Sequence, residues 1–392
     1  MKIRLVLVCM TFLFSTSNLL SQNFVKVGAE QTEEYLPLLK NKRVAVLANQ
    51  SSLIHKTHMV DSLLSLNISV EKIFCPEHGF RGETEAGKQI QNYIDKKTKL
   101  PVVSLYGKNK KPQSEDLKNI DIFVFDIQDV GVRFYTYIST LHYVMEACAE
   151  NDIKLIVFDR PNPNGFYVDG PVLKTKFSSF VGMHTVPVVH GLTIGEYAKM
   201  IIGENWLSNN KNCELQVIMC QNYSHETLYE LPVNPSPNLP NMESVYLYPS
   251  LCFFEGTAMS IGRGTEKPFQ ILGHPDWQIG DFYFTPKSLQ GICENPKFLN
   301  QKCRGIELSK KDSERILENP LINIKYLCDA YLIFEEKDKF FNDFFIKLAG
   351  TPELQKQITE GKTADEIKKS WKKGLKKFKK IRVKYLLYED FE

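Results

Sequence analysis

The sequence predicts an α/β protein built on a doubly wound, mostly parallel sheet. Five apolar runs rich in Val, Ile and Phe recur between residues 43 and 165, helical patterns separate them, and polar or Gly/Pro/Asn turns follow them. Strands that read as continuous apolar runs are buried on both faces, the mark of a parallel sheet covered by helices. A chain of 392 residues has room for one large domain or two, and 43% hydrophobic with 24% charged residues is the balance of a folded protein with a sizeable core.

The chain opens on what reads as an export signal. Lys2 and Arg4 form a basic start, "LVLVCMTFLF" an apolar centre too short to span a bilayer comfortably, and "STSNLLSQ" a polar, small-residue exit. Cleavage is expected near Ser21–Gln22, so residues 1–22 are assigned to a signal peptide and the protein to the periplasm or the exterior. A lipoprotein would carry its cysteine after a small residue at the end of the apolar run, whereas Cys9 follows Val8 inside it. No later stretch is long and apolar enough to span a membrane, so no stable insertion is expected.

The first strand is "RVAVLAN" (43–49), followed by a helix near "HMVDSLLSL". "VEKIFCP" (70–76) and "PVVSLYG" (101–107) are the next two. "IDIFVFDI" (120–127) is the fourth, with "STLHYVMEACAEND" helical behind it, and "KLIVFDRPNPNG" (154–165) is a fifth strand ending in a turn. Ligands bind such sheets beyond the carboxyl ends of the strands. Polar residues gather there: Asn49–Ser52, Glu77 to Arg81, Tyr106, then Asp126, Gln128, Asp129 and Arg133, and finally Asp159–Asn162.

"LPVNPSPNLPN" (231–241) has four prolines in eleven residues and suggests a boundary, giving an N-terminal domain over 23–245 and a smaller C-terminal one over 246–392. The tail is strongly basic, with Trp371, Leu375, Phe378, Ile381 and Val383 at roughly helical spacing. That pattern predicts a terminal helix docked by its apolar face with solvated lysines outside, the alternative being a surface for anionic polymers or membranes.

Several function classes are disfavoured. A net charge of +3 is too weak to argue for nucleic acid. No P-loop, no G-x-G-x-x-G after a strand, no G-x-S-x-G elbow and no HExxH is present. His55 and His58 have i,i+3 spacing but no acid or cysteine beside them, and a polar helix start explains them better than a metal site. Neither metal nor cofactor is expected. Eight cysteines follow Cys9, none in a CxxC, and several lie in apolar runs, so buried free thiols are expected. Cys293–Cys303 is the first pair to test for a disulfide, which export would permit.

Carboxylates remain as carriers of chemistry. Glu77 stands at a strand end between Pro76 and His78, and a carboxyl group partly removed from water can act as an acid near neutrality. That is what a glycosidic leaving group requires. Equally, Glu77 could cap the next helix or pair with Arg81. Asp126 and Asp129 could bind sugar hydroxyls or serve a turn. Arg81, Arg133 and Arg263 could clamp a carboxylate bidentately or form structural ion pairs.

Six ordered blocks then carry a resemblance. "PEHGFRGETEAG", "FDIQDVGVRFYTYISTL", "DRPNPNG", "VPVVHGLTIGE", "PSPNLP" and "EGTAMSIGRGTEKPF" resemble the signature blocks of the exo-β-N-acetylmuramidases, the NamZ family, and the tail "SWKKGLKKFKKIRVKYLLY" resembles that family's ending. The resemblance implies a glycoside hydrolase that removes N-acetylmuramic acid from the non-reducing end of peptidoglycan-derived glycans. It implies a Rossmann-like N-terminal domain, a smaller α+β C-terminal domain and a site in the cleft between them. It implies Glu77 as the catalytic glutamate, and Asp126 is the candidate for a second. His78, Arg81, Gln128, Asp129, Arg133, Tyr135, His190, Asn238, Glu255 and Arg263, all within these blocks, are the candidate substrate contacts. "DRPNPNGF" lacks a second glycine associated with many members, and Ala258-Met259 replaces a more polar pair. The second catalytic group, the stereochemical course and the oligomeric state stay open. A periplasmic protein that binds the sugar without cleaving it is the alternative, since fold alone cannot separate the two.

Overall fold

The computed structural model describes residues 24–82, 91–208, 211–308 and 310–392; the expected signal peptide lies outside them. Its strands are β1 (Arg43–Ala48), β2 (Leu53–Ile54), β3 (Thr57–His58), β4 (Ser69–Cys75), β5 (Tyr93–Ile94), β6 (Pro101–Ser104), β7 (Ile122–Asp126), β8 (Lys154–Phe158), β9 (Leu215–Ile218), β10 (Ile271–His274), β11 (Phe282–Phe284) and β12 (Cys303–Glu307). Its helices are α1 (Thr32–Leu39), α2 (Met59–Ser65), α3 (Tyr137–Glu150), α4 (Ile194–Gly203), α5 (Met242–Leu251), α6 (Lys310–Glu318), α7 (Lys325–Ile333), α8 (Lys337–Phe340), α9 (Phe344–Ala349), α10 (Glu353–Thr359) and α11 (Ala364–Arg382).

The main sheet runs β5-β6-β4-β1-β7-β8-β9. All its pairings are parallel except that of the two-residue edge strand β5 with β6. Counting only the parallel strands in chain order, the sequence across the sheet is 3-2-1-4-5-6, the Rossmann order. The alternation of side chains along β1 shows why helices cover both faces: Ala45 and Leu47 enter one core, Val44, Val46 and Ala48 the other. The five expected strands are all present. β9 was not expected; only Ile218 of its four residues is fully buried, so it lacks a strong apolar run.

The second half is α+β. β10, β12 and β11 form an antiparallel sheet in that order, with short helices packed around it. These strands have three to five residues and contain Gly273 and Gly305, which hide them from periodicity. One hydrophobic core runs through both halves, from Leu47 and Phe125 of the sheet to Phe253, Phe345, Trp371 and Phe378. α11 docks by Ile367, Trp371 and Phe378, as its spacing predicts, while Val383 is 61% exposed because the helix has ended at Arg382.

The chain then returns to the first half. The Tyr388 hydroxyl donates to Asp159 at the end of β8 (2.6 Å), the Cys220 N–H to the Tyr388 oxygen (2.9 Å) and the His225 N–H to the Glu389 carbonyl (2.9 Å). Arg382 is buried and paired with Asp390 at 2.7 Å.

His55 and His58 do not share a helix face. His55 sits at φ 52° between β2 and β3, and His58 caps α2 through Nδ1, accepting from the Val60 N–H. Burial holds the His58 pKa down to about 4, so the ring is neutral near pH 7. All eight described cysteines are free thiols, Cys293 and Cys303 included. No described helix is long and apolar enough to cross a membrane.

Candidate active site

The strand order reverses between β1 and β7, and in such sheets ligands bind beyond the carboxyl ends of the strands. β4 delivers Glu77 to that edge. The Gly79 N–H bonds to the Pro76 carbonyl at 3.2 Å, closing a turn with Glu77 and His78 at its centre. His78 takes φ 73°, the value a type II turn needs at its third position and one that a non-glycine residue adopts only at a cost. The Ser236 hydroxyl, 3.2 Å from His78 Nε2, helps hold it. The mixture of turn formers and reactive side chains in "CPEHGFRG" thus has a geometric basis: the turn presents the carboxylate while Phe80 is fully buried behind it.

Glu77 lines a cleft of about 690 Å³ whose walls are strongly aromatic. Tyr106, from the end of β6, stands beside Glu77; burial, and then the adjacent carboxylate, push the phenol above its ordinary range. Tyr135 and Tyr137 come from the turn into α3. The Asn49 side chain donates to the Tyr137 hydroxyl at 2.9 Å, the Tyr137 and Tyr135 rings meet edge to face at 4.7 Å, and Tyr135 donates to the Pro235 carbonyl at 2.7 Å. Gln50 donates to that carbonyl as well (3.1 Å). The proline-rich segment is therefore a wall as well as a connection, contributing Ser236, Asn238 and Leu239 to the lining. Its prolines fix φ and have no N–H, so it needs fewer main-chain partners there.

The opposite half of the chain supplies the remaining lining. Glu255 and Arg263 line the cleft as an ion pair, with Nε 2.6 Å from the carboxylate. Burial opposes the Arg263 charge, but Glu255 outweighs it and the guanidinium stays above its ordinary range. Glu294 and Asn295 approach on a loop that Lys297 fastens down. The Lys297 ammonium lies among four carbonyls, of Thr257 (2.6 Å), Glu255 and Met259 (both 3.3 Å) and Phe254 (3.4 Å). Burial lowers its pKa to about 8.

Of the residues expected to form the site, Glu77, His78, Tyr135, Asn238, Glu255 and Arg263 line the cleft. The others do not, for identifiable reasons. Asp126 is fully buried and bound by Arg160 Nε and Nη2 at 2.6 and 3.0 Å, so it is a structural carboxylate rather than a second catalytic group. Arg133 is fully buried and donates to the carbonyls of Pro171, Val186, Leu348 and Ala349 at 2.7–2.9 Å, which leaves it no fork for a substrate carboxylate. Arg81 pairs with Asp95 (2.9 Å) and Asp61 (3.4 Å), not with Glu77. Gln128 is buried and donates to the Asp129 and Pro161 carbonyls. Asp129 accepts from the Gly131 N–H at 2.7 Å, and burial pushes its carboxyl up to about 7. His190 is fully buried, with its pKa lowered to about 3.

Sequence reasoning passed over Tyr137, Phe180, Tyr248, Phe269 and the 293–295 loop, all of which line the cleft. The aromatics read as core, and the loop lies in no recognised block. Among the described residues no group of three or more His, Cys, Asp or Glu side chains is placed to hold a metal.

Fold and cleft together define a class: an α/β enzyme whose carboxylates and tyrosines face a polar cleft between two halves, large enough for a sugar. Models of the N-terminal and C-terminal parts of exo-beta-N-acetylmuramidase NamZ match residues 44–243 and 246–388, and the chain belongs to that family of glycosidases. It is 38% identical over 374 residues to the peptidoglycan beta-N-acetylmuramidase NamZ of Bacillus subtilis (strain 168), covering 91% of this chain and 89% of that protein. Two crystal structures of DUF1343 family proteins from Bacteroides fragilis NCTC 9343 share the fold. One is 48% identical with a TM-score of 0.86, over 94% of this chain and 99% of that one. The other is 29% identical with a TM-score of 0.76, over 93% and 99%.

Proposed function

We propose that this protein is an exported, exo-acting β-N-acetylmuramidase that releases N-acetylmuramic acid from the non-reducing end of peptidoglycan-derived glycans, with Glu77 as general acid. The observation that carries this reading is the position of Glu77: on a constrained turn at the sheet's carboxyl edge, beside Tyr106 and lining a polar aromatic cleft. A carboxyl group held there protonates the glycosidic oxygen as the bond breaks. Tyrosine rings suit the apolar faces of a sugar and their hydroxyls its polar edges. N-acetylmuramic acid differs from N-acetylglucosamine by a lactyl carboxylate, and Arg263 is the guanidinium on the cleft wall suited to read it. The name of the Bacillus subtilis relative supports the same substrate class.

The test is hydrolysis of a chromogenic β-N-acetylmuramide by wild type and Glu77→Gln. Turnover should fall by about 10²–10⁴-fold while the fold is kept. Binding of the muramide without turnover by the wild type would assign a binding protein instead. Time-resolved digestion of a long defined glycan should give single muramic acid units stepwise, and early internal fragments would reject exo action. Export is checked by N-terminal sequencing of the mature protein, expected to start near Gln22.

A further inference from the structure

Charge on this chain is segregated. Residues 364–384, α11 and the start of the turn after it, hold nine lysines and one arginine against two acids, or +8, so the remainder of a +3 chain carries −5. Most of these lysines come as neighbouring pairs, 368/369, 372/373 and 376/377, repeated every four residues. Like charges therefore stack at i,i+4 along the helix, which works against it. Among the described residues, Lys369, Lys372, Lys373, Lys376, Lys377 and Lys380 make no ion pair, and all six are exposed. Of the cations in this stretch, Lys379, Arg382 and Lys384 find acids among the described residues, Glu392, Asp390 and Glu204. Lys372, Lys376, Lys379 and Lys380 border a shallow groove floored by Leu375 and Val383.

We propose that this ridge is a docking surface for the carboxylate-bearing peptidoglycan strand, holding the enzyme on the polymer while the cleft works on a chain end. The inference rests on the substrate class proposed above. Two observations select this occupant. The patch offers many cations and, among large apolar side chains, only Val383 stands well exposed, so a polyanion in water satisfies it whereas a bilayer would find almost nothing to insert. The patch is also joined to the cleft. Gly374 of α11 comes against Val172, and the chain from there carries exposed Lys174 and Lys176 before it reaches Phe180 and Val181 on the cleft lining. At that lip the Lys110 ammonium lies 4.4 Å from the Phe180 ring centre.

The experiment is co-sedimentation of the full protein with purified, insoluble sacculi and, separately, with phosphatidylglycerol vesicles. The variant changes Lys369, Lys372, Lys373, Lys376, Lys377 and Lys380 together to Gln, which relieves repulsion on an exposed face. It should bind sacculi about tenfold or more weakly, yet hydrolyse the small chromogenic muramide as the wild type does. Wild-type binding should itself weaken steeply as salt rises, a measurement that stands even if the variant fails to fold. Salt-insensitive wild-type binding, equal binding by a folded variant, or tighter binding to vesicles than to sacculi would overturn the proposal. A wild type that shows no turnover, but sediments with sacculi through these lysines, would reject the glycosidase reading and leave the docking surface supported.

Discussion

The Tyr106 phenol stands beside the Glu77 carboxyl group, the two following strands β6 and β4 and lining one cleft. A phenol in that position is placed to donate to the carboxylate left when the proton departs. Tyr106→Phe keeps the ring and removes the hydroxyl. Its kcat on the chromogenic muramide should fall about tenfold, the scale of one hydrogen bond, with KM little changed. Wild-type kcat in this variant would remove Tyr106 from the mechanism.

Arg263 is expected to set the preference for a sugar that carries a carboxylate. Arg263→Ala should erode discrimination between the muramide and the corresponding glucosaminide by about 1.5–3 kcal/mol. The mutation also strips Glu255 of its partner, so the double variant Arg263→Ala/Glu255→Gln provides the control. Unchanged discrimination in both would place the carboxylate elsewhere.

Arg133 should behave in the opposite way. Its guanidinium ties Pro171 and Val186 of the first half to Leu348 and Ala349 at the end of α9. Lysine cannot reproduce that fork. Arg133→Lys should cost about 3 kcal/mol or more of stability, read from the denaturation midpoint, while the sugar preference of the folded fraction stays the same.

Asp129 gives a pH prediction. Its carboxyl is raised to about 7 by burial, above an unfolded value near 3.8. The folded state therefore holds the proton more tightly. The stabilisation is complete below the unfolded value and is lost as pH rises through about 7. Asp129→Asn removes this dependence. Relative to wild type it should gain about 2–4 kcal/mol on going from pH 4 to pH 8, measured by denaturation at both. Parallel stability curves would show that Asp129 is not held protonated.

The sheet was legible because its chemistry is local. Five strands announce themselves as apolar runs, and burial on both faces forces those runs to be continuous. Glu77 was legible for the same reason, being next to its strand and its turn formers in sequence. Arg133 and Asp126 looked no different from site residues, since a charged side chain near a strand end reads alike whether it faces solvent or is buried. What separates them is Arg160 for Asp126 and the carbonyls of residues 348 and 349 for Arg133, partners 34 and more than 200 residues away. Tyr137 and Phe269 were hidden in the converse way, because aromatic side chains give one signal for core and for cleft.

The return of the chain to Asp159 bears on the order in which the molecule can assemble. The half that carries Glu77 is synthesised first, but the carboxylate that closes β8 takes one bond from Thr193 and another from Tyr388, 229 residues beyond it. Cys220 and His225 wait for the same stretch. Until it arrives, the first half lacks part of its buried hydrogen bonding as well as the shared core. Contacts of such long sequence separation slow folding. The sheet of the first half is thus early in time but late in completion.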